Sequence, residues 1–325
     1  MGIYVNFVIF LIFVILLMPE LPEVQTVASE LNRKLTNRTV KSVLLNAPKM
    51  VGLGPATLPP ARRVESLKVR KFIKIVKGQK FLSVKRRAKL LIFDLSGSWS
   101  ILAHLKMTGQ FIFEDKKLRA KTRGKYRLLN KLSAPLTSLP SKHTHIIFEF
   151  TDSSKLYFND VRKFGYIKLV HDNEINLVRE LKEYGHEPLD KNFTYEVFSK
   201  VLKKRTKGKI KQVLMDNKVV VGIGNIYSDE ILFHAKVRPT RVVLGIKNYE
   251  LRRIYNAIRY VLIKGIKAKG SSVGDFVRTD GSWGQMGKHH FVYGRKGQKC
   301  KKCGTIITSV KVGGRTGSFC PHCQS

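Results

Sequence analysis

The spacing of hydrophobic residues changes twice along the chain, and each change predicts a different kind of structure. After residue 18, Val24, Val27, Leu31 and Leu35 recur every three or four positions, which predicts an amphipathic helix. Short apolar and β-branched runs bounded by turn residues follow, and they predict the strands of a sandwich or barrel. The predicted strands span residues 39–45, 71–76, 81–84, 90–95, 101–105, 111–113, 146–150, 155–158 and 166–170.

The region from about residue 176 to residue 269 is predicted to be helical, because its apolar residues return to helical spacing. Within it the glycine-rich sequence VGIGN at 221–225 separates two helical stretches, as in a helix-turn-helix connection. The tail from about residue 290 is rich in turn residues and holds all four cysteines.

A basic segment without regular spacing interrupts the β-rich region between residues 114 and 142. Eight Lys or Arg residues lie between Lys116 and Lys131, and a stretch rich in Pro and Ser follows them. We expect a long insertion loop, whose charges either contact a partner or are simply solvated.

The first seventeen residues form an apolar run with flanks that fit neither secretion nor a membrane anchor. The run contains no Lys or Arg and lacks a small-residue cleavage site, unlike a signal peptide. At about 1.5 Å per residue it covers roughly 26 Å, the short limit for a bilayer span. Membrane insertion is the weaker alternative; we favour a start at Met18, with residues 1–18 absent from the functional protein.

Charge and composition narrow the class of partner. The chain has 61 Lys and Arg against 23 Asp and Glu, a net charge of +38, and 43% of its residues are hydrophobic. The hydrophobic content excludes a disordered basic tail, while the charge far exceeds what solubility needs. We therefore expect a folded protein that binds a polyanion, with nucleic acid as the leading candidate.

Two CxxC pairs predict a metal site near the C-terminus. Cys300 and Cys303 are followed, sixteen residues later, by Cys320 and Cys323, which is the spacing of a four-thiolate zinc site. Four protein ligands leave no position for water, so the zinc is expected to be structural; two disulfides or unligated thiols are the alternative. The surrounding cations suit phosphate contact. They are Arg295, Lys296, Lys299, Lys301, Lys302 and Arg315.

Nine motifs follow one another in a characteristic order. They are PELPEV at 19–24, RRAK at 86–89, HLKMTG at 104–109, KHTH at 142–145, DVRKFG at 160–165, GHEPL at 185–189, LMDNKVVVGIGNIYSDE at 214–230, VYGRKGQKC at 292–300 and the cysteine finger. Together they resemble the formamidopyrimidine-DNA glycosylase family over nearly all of the chain from Met18 to Cys323. Leu21 favours this branch over the related endonuclease VIII branch, which typically opens PEGPE.

The resemblance implies an α+β, multi-domain fold. A catalytic β-sandwich with flanking helices is expected at 19–172, with the basic insertion loop at 114–142 inside it. A helix-two-turn-helix DNA-binding domain is expected at 173–289, and a β-hairpin zinc finger at 290–325. Residues 279–287 correspond to the family's loop that covers the everted base.

Members of this family are bifunctional base-excision repair enzymes, so the resemblance implies both a glycosylase and an AP lyase activity. They remove 8-oxoguanine and formamidopyrimidines and then cut the strand by β,δ-elimination. Proline at a free N-terminus suits this chemistry, because an α-amino group with a pKa of roughly 7.7–8.0 is partly unprotonated near neutral pH. If residues 1–18 stayed attached, the Pro19 nitrogen would be a tertiary amide without a nucleophilic lone pair.

The resemblance also implies the remaining catalytic roles. Glu20, next to the nucleophile Pro19, is positioned as general acid/base. Lys89 is a further proton donor or phosphate contact, and Arg315 in the finger is the donor for the elimination step. Glu23 is expected to be a helix cap or structural support.

The same resemblance assigns the DNA-binding residues. Met107, Arg162 and Phe164 would fill the gap left by the flipped nucleotide, which suits a flexible apolar wedge, a cation and an aromatic ring. Contacts to the DNA backbone are expected from His143, Arg162, Lys211 and Asn225. Lys207 is a further candidate, because the basic stretch 203–211 aligns ambiguously.

The expected partner is damaged double-stranded DNA, and the expected cofactor is one structural zinc ion. The resemblance implies a monomer without a protein partner, in the bacterial cytoplasm and associated with the nucleoid. Two alternatives stay open. If Pro19 remains internal, the chain is a non-catalytic DNA-binding homologue; if the apolar run inserts, it is a membrane-tethered nucleic-acid protein.

Overall fold

The computed structural model describes residues 18–56, 66–115 and 139–325. The apolar run 1–17 and most of the predicted insertion loop lie outside these ranges, so the structure does not test the predictions made for them. In the described part of the chain, no helix is long and apolar enough to cross a membrane.

The predicted first helix is confirmed as α1, Leu21–Leu35. Its start is fixed by a capping box, in which the Glu20 amide donates to the Glu23 carboxylate at 2.9 Å. All four residues of the predicted apolar stripe are buried. Helix α1 packs against a strand of the N-terminal sandwich on one side and against the longest helix of the helical region on the other.

The described residues of the N-terminal region form nine strands. In chain order they are β1 (Val40–Leu45), β2 (Val51–Leu53), β3 (Phe81–Arg87), β4 (Leu90–Leu95), β5 (Trp99–His104), β6 (Gly109–Glu114), β7 (Thr144–Phe150), β8 (Lys155–Asp160) and β9 (Tyr166–His171). One sheet has the order β1-β7-β8-β6 and the other β2-β9-β5-β4-β3. Their buried faces share one core, in which Phe81 packs edge-on against Phe148 of the opposite sheet. The predicted sandwich is therefore confirmed.

One predicted strand is wrong. Residues 71–76 belong to helix α2, Ser66–Val76. Phe72 and Val76 are both fully buried. Four residues apart, they lie on one face of a helix, which packs against β1 and β2. The run KFIKIV satisfies both the helical and the strand pattern, and tertiary packing selects the helix.

The helical region has a separate core. Its helices are α3 (Arg179–Glu183), α4 (Tyr195–Lys203), α5 (Ile210–Met215), α6 (Asn225–Ala235) and α7 (Asn248–Lys267). The C-terminal strands β10 (Thr308–Val312) and β11 (Arg315–Phe319) form an antiparallel hairpin, and β11 packs against α6. The α+β, multi-domain architecture expected from the sequence is confirmed.

Candidate active site

The start of α1 and the start of α6 meet at one buried point. Pro19 is buried immediately before α1. The Glu20 side chain accepts hydrogen bonds from the amides of Gly224 (2.6 Å), Ile226 (2.7 Å) and Tyr227 (3.2 Å). These amides belong to the first turn of α6, where unpaired N–H groups and the helix dipole favour an anion. Glu20 is thus held rigidly beside Pro19 by another domain.

The glycine-rich segment 221–225 makes the contact between Glu20 and the start of α6 possible. A Cβ atom on Gly224 would lie 2.5 Å from Cδ of Glu20, which is closer than non-bonded atoms approach. The backbone before α6 can therefore come within hydrogen-bonding distance of the carboxylate only without a side chain at this position. The Leu21 amide completes the junction by donating to the Gly222 carbonyl at 2.9 Å.

Lys89 reaches the same point from the sandwich. It lies in the turn between β3 and β4, is 7% exposed, and donates from Nζ to the Ile223 carbonyl at 3.3 Å. Burial lowers the pKa of the Lys89 ammonium, and the neighbouring Glu20 opposes that shift. Burial also raises the pKa of the Glu20 carboxyl, against the influence of Lys89 and the three amides. The two shifts bring the pKa values of this carboxyl and this ammonium group closer together.

Glu23 has the supporting position that the sequence predicts. One carboxylate oxygen accepts from the Tyr227 hydroxyl and the Ser271 amide, each at 2.7 Å, and the other accepts from the Glu20 amide. Burial and the charge of Glu20 raise the pKa of the Glu23 carboxyl to about 7. Glu23 therefore ties the start of α1 to α6 and to the segment that follows α7.

Arg315 approaches this centre from the zinc hairpin. It is exposed at the start of β11, and its charge acts on Lys89 and on Tyr293. The Tyr293 hydroxyl and the side-chain oxygen of Asn225 are both buried. Burial and the nearby Glu20 raise the pKa of the Tyr293 hydroxyl, and its interaction with the Asn225 side chain opposes that shift.

The three predicted gap-filling residues form one cluster. Arg162 donates from Nη1 to the Met107 sulfur at 3.0 Å, and its guanidinium carbon lies 4.6 Å from the centre of the Phe164 ring. Phe164 is 53% exposed. Although 55 residues separate Met107 from Arg162, their loops meet at one exposed tip.

Asp160 holds the two loops together. One of its carboxylate oxygens accepts from the Thr108 hydroxyl and the Arg162 amide, and the other accepts from the Gly165 amide at 2.7 Å. The half-buried His143 is joined to the same turn, because its carbonyl accepts from the Asp160 amide at 3.0 Å. Burial and the nearby Lys142 lower the pKa of His143, so its ring is neutral at pH 7.

The two candidate lysines differ sharply. Lys207 is exposed. Lys211 is fully buried, and its ammonium group pairs with Asp229 at 2.6 Å and donates to the Ser228 hydroxyl and the Asn225 carbonyl. In this conformation the Lys211 ammonium group lies inside the protein, where the Asp229 carboxylate neutralises its charge. The structure therefore does not offer the direct phosphate contact expected of Lys211.

The segment 279–287, expected to cover the everted base, begins at a fixed residue. Thr279 is buried and bonded to Glu30 of α1, and its carbonyl accepts from the Phe113 amide of β6 at 2.9 Å. Trp283, farther along, is 42% exposed.

The four cysteine sulfurs lie within 4.8 Å of one another. Tetrahedral zinc with Zn–S bonds of about 2.3 Å separates its sulfur ligands by about 3.8 Å, so the cluster fits this ion. The Asp229 carboxylate, which pairs with Lys211, also accepts from the Ser318 amide at 2.8 Å and thereby joins the hairpin to α6.

Four functional or supporting residues have no single-residue signal in the sequence. Asp160, Tyr293 and Asp229 lie within recognised motifs but become identifiable only from their partners. Glu230 is the fourth: its buried carboxylate accepts from the amides of 291–293 and fixes the approach to the zinc hairpin. The available signal for Asp229 and Glu230 was their position as two acidic residues within a largely apolar part of a long motif.

Three family models match the chain in order. The formamidopyrimidine-DNA glycosylase N-terminal domain matches residues 18–167, the H2TH domain of that enzyme matches 184–277, and the zinc finger found in this enzyme and in isoleucyl-tRNA synthetase matches 297–325. The third match agrees with the cysteine geometry, and the cluster is a structural zinc site.

Complete relatives and solved structures agree with these domains. The formamidopyrimidine-DNA glycosylase of Listeria monocytogenes is 36% identical over 93% of this chain and 97% of its own length, and that of Desulfitobacterium hafniense is 34% identical over the same shares. The structure of the Lactococcus lactis Fpg with an abasic site containing DNA has a TM-score of 0.77, is 31% identical, and covers 94% of this chain and 99% of its own. Another, of the Lactococcus lactis protein with a Fapy-dG containing DNA, has a TM-score of 0.76 at 31% identity, covering 94% and 100%. The chain belongs to the formamidopyrimidine-DNA glycosylase family of DNA-repair enzymes.

Proposed function

We propose that the protein is a base-excision repair DNA glycosylase and AP lyase that removes oxidised purines from duplex DNA. The observation that carries the proposal is the buried junction at which Pro19, Glu20 and Lys89 meet. The substrates named for the Lactococcus lactis structures, an abasic site and Fapy-dG in DNA, are those that such a junction would process.

The reaction begins with the Pro19 nitrogen as a free secondary amine. Its lone pair attacks the anomeric sugar carbon, the bond from that carbon to the damaged base breaks, and the base leaves with the bonding pair and takes up a proton. The attached nitrogen loses its proton, and ring opening of the sugar then gives an iminium ion, with the ring oxygen protonated by Glu20. The positive nitrogen acidifies the adjacent sugar carbon, so loss of a proton from C2′ expels the 3′ phosphate. Loss of a second proton, from C4′ of the conjugated iminium, then expels the 5′ phosphate.

The geometry suits these roles. Glu20 is fixed by three amides beside Pro19, which limits its motion during proton transfer. Lys89, with its lowered pKa, can donate a proton or contact a phosphate. Arg315 is the exposed donor that we assign to the elimination step. Zinc holds the hairpin that carries Arg315 and contributes no chemical step.

DNA binding is divided between two surfaces. Met107, Arg162 and Phe164 fill the gap in the stack, and neutral His143 donates a hydrogen bond to a phosphate. On the helical side, Asn225 and the exposed Lys207 are proposed as phosphate contacts. Lys211 acts through Asn225, whose backbone carbonyl accepts a hydrogen bond from the Lys211 ammonium group at 3.3 Å. We propose that the protein works as a monomer in the bacterial cytoplasm.

Every step of this mechanism requires Pro19 to be the first residue of the chain, with a free amine nitrogen. We propose that translation starts at Met18 and that removal of this methionine exposes Pro19. The N-terminal family model begins at residue 18, and Pro19 is already buried against the reaction centre. A non-catalytic DNA-binding homologue is the second candidate, favoured only if Pro19 is peptide-bonded in the natural protein.

Borohydride trapping tests the mechanism. On a duplex with one 8-oxoguanine, protein made from Met18 and shown by mass to begin at Pro19 should form a covalent adduct, while protein beginning at Met1 should form none. Pro19→Gly should weaken or redirect the adduct. Adduct formation by the chain that begins at Met1, or none by the chain that begins at Pro19, would contradict the proposal.

A further inference from the structure

Helix α1 carries a second buried carboxylate, Glu30, two turns beyond Glu23. Glu23 and Glu30 are seven residues apart, which sets them on the same face of the helix. Glu23 accepts from the Ser271 amide at 2.7 Å, and Glu30 accepts from Arg278 and Thr279. One face of α1 therefore binds the chain after α7 at two places.

Glu30, which is 4% exposed, binds the segment after α7 through three hydrogen bonds and an ion pair with Arg278. One carboxylate oxygen lies 2.7 Å from Nε and 2.6 Å from Nη2 of Arg278. The other accepts from the Thr279 amide at 3.1 Å and from its hydroxyl at 2.8 Å. Lys34 adds a bond to the same hydroxyl at 2.7 Å. Charge-assisted bonds of this kind fix direction as well as distance.

The effect of Glu30 extends into the exposed turn at residues 278–284. Arg278 donates from its amide to the Ser282 carbonyl at 2.9 Å and from Nη1 to the Ser282 hydroxyl at 3.0 Å. Asp280 accepts from the Ser282 amide and hydroxyl. Trp283 follows directly and is 42% exposed. The orientation of the turn is thus set by the guanidinium group that Glu30 holds.

The far end of the turn returns to the reaction centre. The Gly284 amide donates to the Ser272 hydroxyl at 2.9 Å, one residue after the Ser271 amide that bonds to Glu23. A Cβ atom on Gly284 would lie 2.2 Å from the Gly270 carbonyl oxygen, so the two backbones are in direct contact. The turn is therefore fixed at one end by Glu30 and lies at its other end beside the segment that binds Glu23.

We propose that Glu30 is a positioning residue for base recognition, which holds the 278–284 turn at a set distance from Pro19 through the rigid helix α1. The proposal rests on the proposed function and adds a component to it. The turn overlaps the segment 279–287 that the family resemblance expects to cover the everted base. On that assignment, release of a damaged base needs the turn in its position, whereas cleavage at a site that has already lost its base does not. Removing the contacts of Glu30 with Arg278 and Thr279 should therefore lower base release more than abasic-site cleavage.

The test compares Glu30→Ala and Glu30→Gln in the chain that begins at Pro19. Single-turnover rates are measured for release of 8-oxoguanine and for cleavage of a preformed abasic site in the same duplex. We expect base release to fall roughly tenfold or more in Glu30→Ala, since small misplacements near a reaction centre have such effects. Abasic-site cleavage should stay within about twofold of the unmodified protein. Glu30→Gln keeps the size and one acceptor, and it should be intermediate.

The matched control is Glu250→Ala. Glu250 is 3% exposed, pairs with Arg241 and accepts from the Lys247 amide at the start of α7, so its loss removes a similar cluster elsewhere. We expect it to lower Tm while leaving the ratio of the two rates unchanged. An unchanged ratio in both Glu30 variants, including an equal loss of both activities, would overturn the proposal.

A second measurement is independent of activity. The chain has two tryptophans, Trp99 and Trp283, so a Trp99→Phe background makes Trp283 the sole reporter of the turn. Acrylamide quenching should increase when Glu30→Ala is added and stay unchanged with Glu250→Ala. If quenching does not change with Glu30→Ala, the proposed role of Glu30 in holding the turn is overturned, whether or not the protein has glycosylase activity. Absence of borohydride trapping in the unmodified chain would instead contradict the proposed function.

Discussion

The proposed reaction centre around Glu20 and the proposed gap-filling tip at Phe164 are built in opposite ways. Glu20 is 2% exposed, and its carboxylate has three backbone donors from another domain. Phe164 at the tip is 53% exposed, and its described contact is the stacked guanidinium of Arg162. Glu20 is expected to act on the flipped nucleotide, and Phe164 is expected to fill the gap that this nucleotide leaves.

The difference follows from what each region does. Proton transfer needs a group whose position and pKa are set before the substrate arrives, which burial and fixed dipoles provide. Filling a gap in stacked bases needs an exposed apolar surface that gains its partner only on binding. Stability should therefore depend on the reaction centre, while the tip should affect activity almost alone.

The largest expected effect is at the reaction centre. Glu20→Gln keeps the volume of the side chain but removes the proton-transfer group. The NH2 group of the glutamine would also face an N–H donor of α6 and leave that donor unpaired. We expect base release to fall by roughly 10²–10⁴-fold, the range for loss of a general acid or base, together with a lower Tm. Single-turnover kinetics and thermal melts measure both.

Glu250→Gln is the control for burial, because Glu250 is a buried, backbone-bonded carboxylate at the start of α7. It should lower Tm without a comparable loss of base release. Equal losses of base release in the two variants would remove the distinction between a catalytic and a structural carboxylate.

A smaller effect is expected at the tip. Phe164→Ala removes a stacking surface worth about 1–3 kcal/mol for an aromatic ring against a base, or roughly five- to 150-fold in base release. Tm should stay the same, because the ring is half exposed in the free protein. Leu244→Ala, at a residue that is 77% exposed in the helical region, should change neither quantity. A marked fall in Tm for Phe164→Ala would show that the tip is part of the packed structure.

The smallest expected effect is the pH dependence of stability from Glu23. Its carboxyl has a pKa of about 7 in the folded protein against an ordinary value of 4.5, so the folded state holds the proton more tightly. This contribution to stability is fully present below pH 4.5 and is lost as the pH rises through about 7. We expect Tm to fall by a few degrees between pH 5 and pH 8 on this account.

The comparison with Glu23→Gln isolates this contribution, because glutamine does not titrate. The variant should show a flatter dependence of Tm on pH over the same range. An identical slope in the two proteins would assign the dependence to other groups.

Much of the fold was predictable because its signals are local. Short-range spacing carries the apolar face of α1, eight of the nine predicted strands and the two CxxC pairs. The error at 71–76 arose where Phe72 and Val76 fit either period, and contact with β1 and β2 decided for the helix. The spacing of a six-residue run does not contain that information.

The sequence by itself determined the zinc ligands, the motifs of the reaction centre and the residues of the tip, because residue type and order carry these. Tertiary structure alone decided that Lys211 is buried against Asp229, that α6 supplies the amides for Glu20, and that Glu30 holds the 278–284 turn. These pairs are 18, 206 and 249 residues apart. A charge acquires its partner and its pKa only when folding brings such distant residues together, and no local pattern records which partner that is.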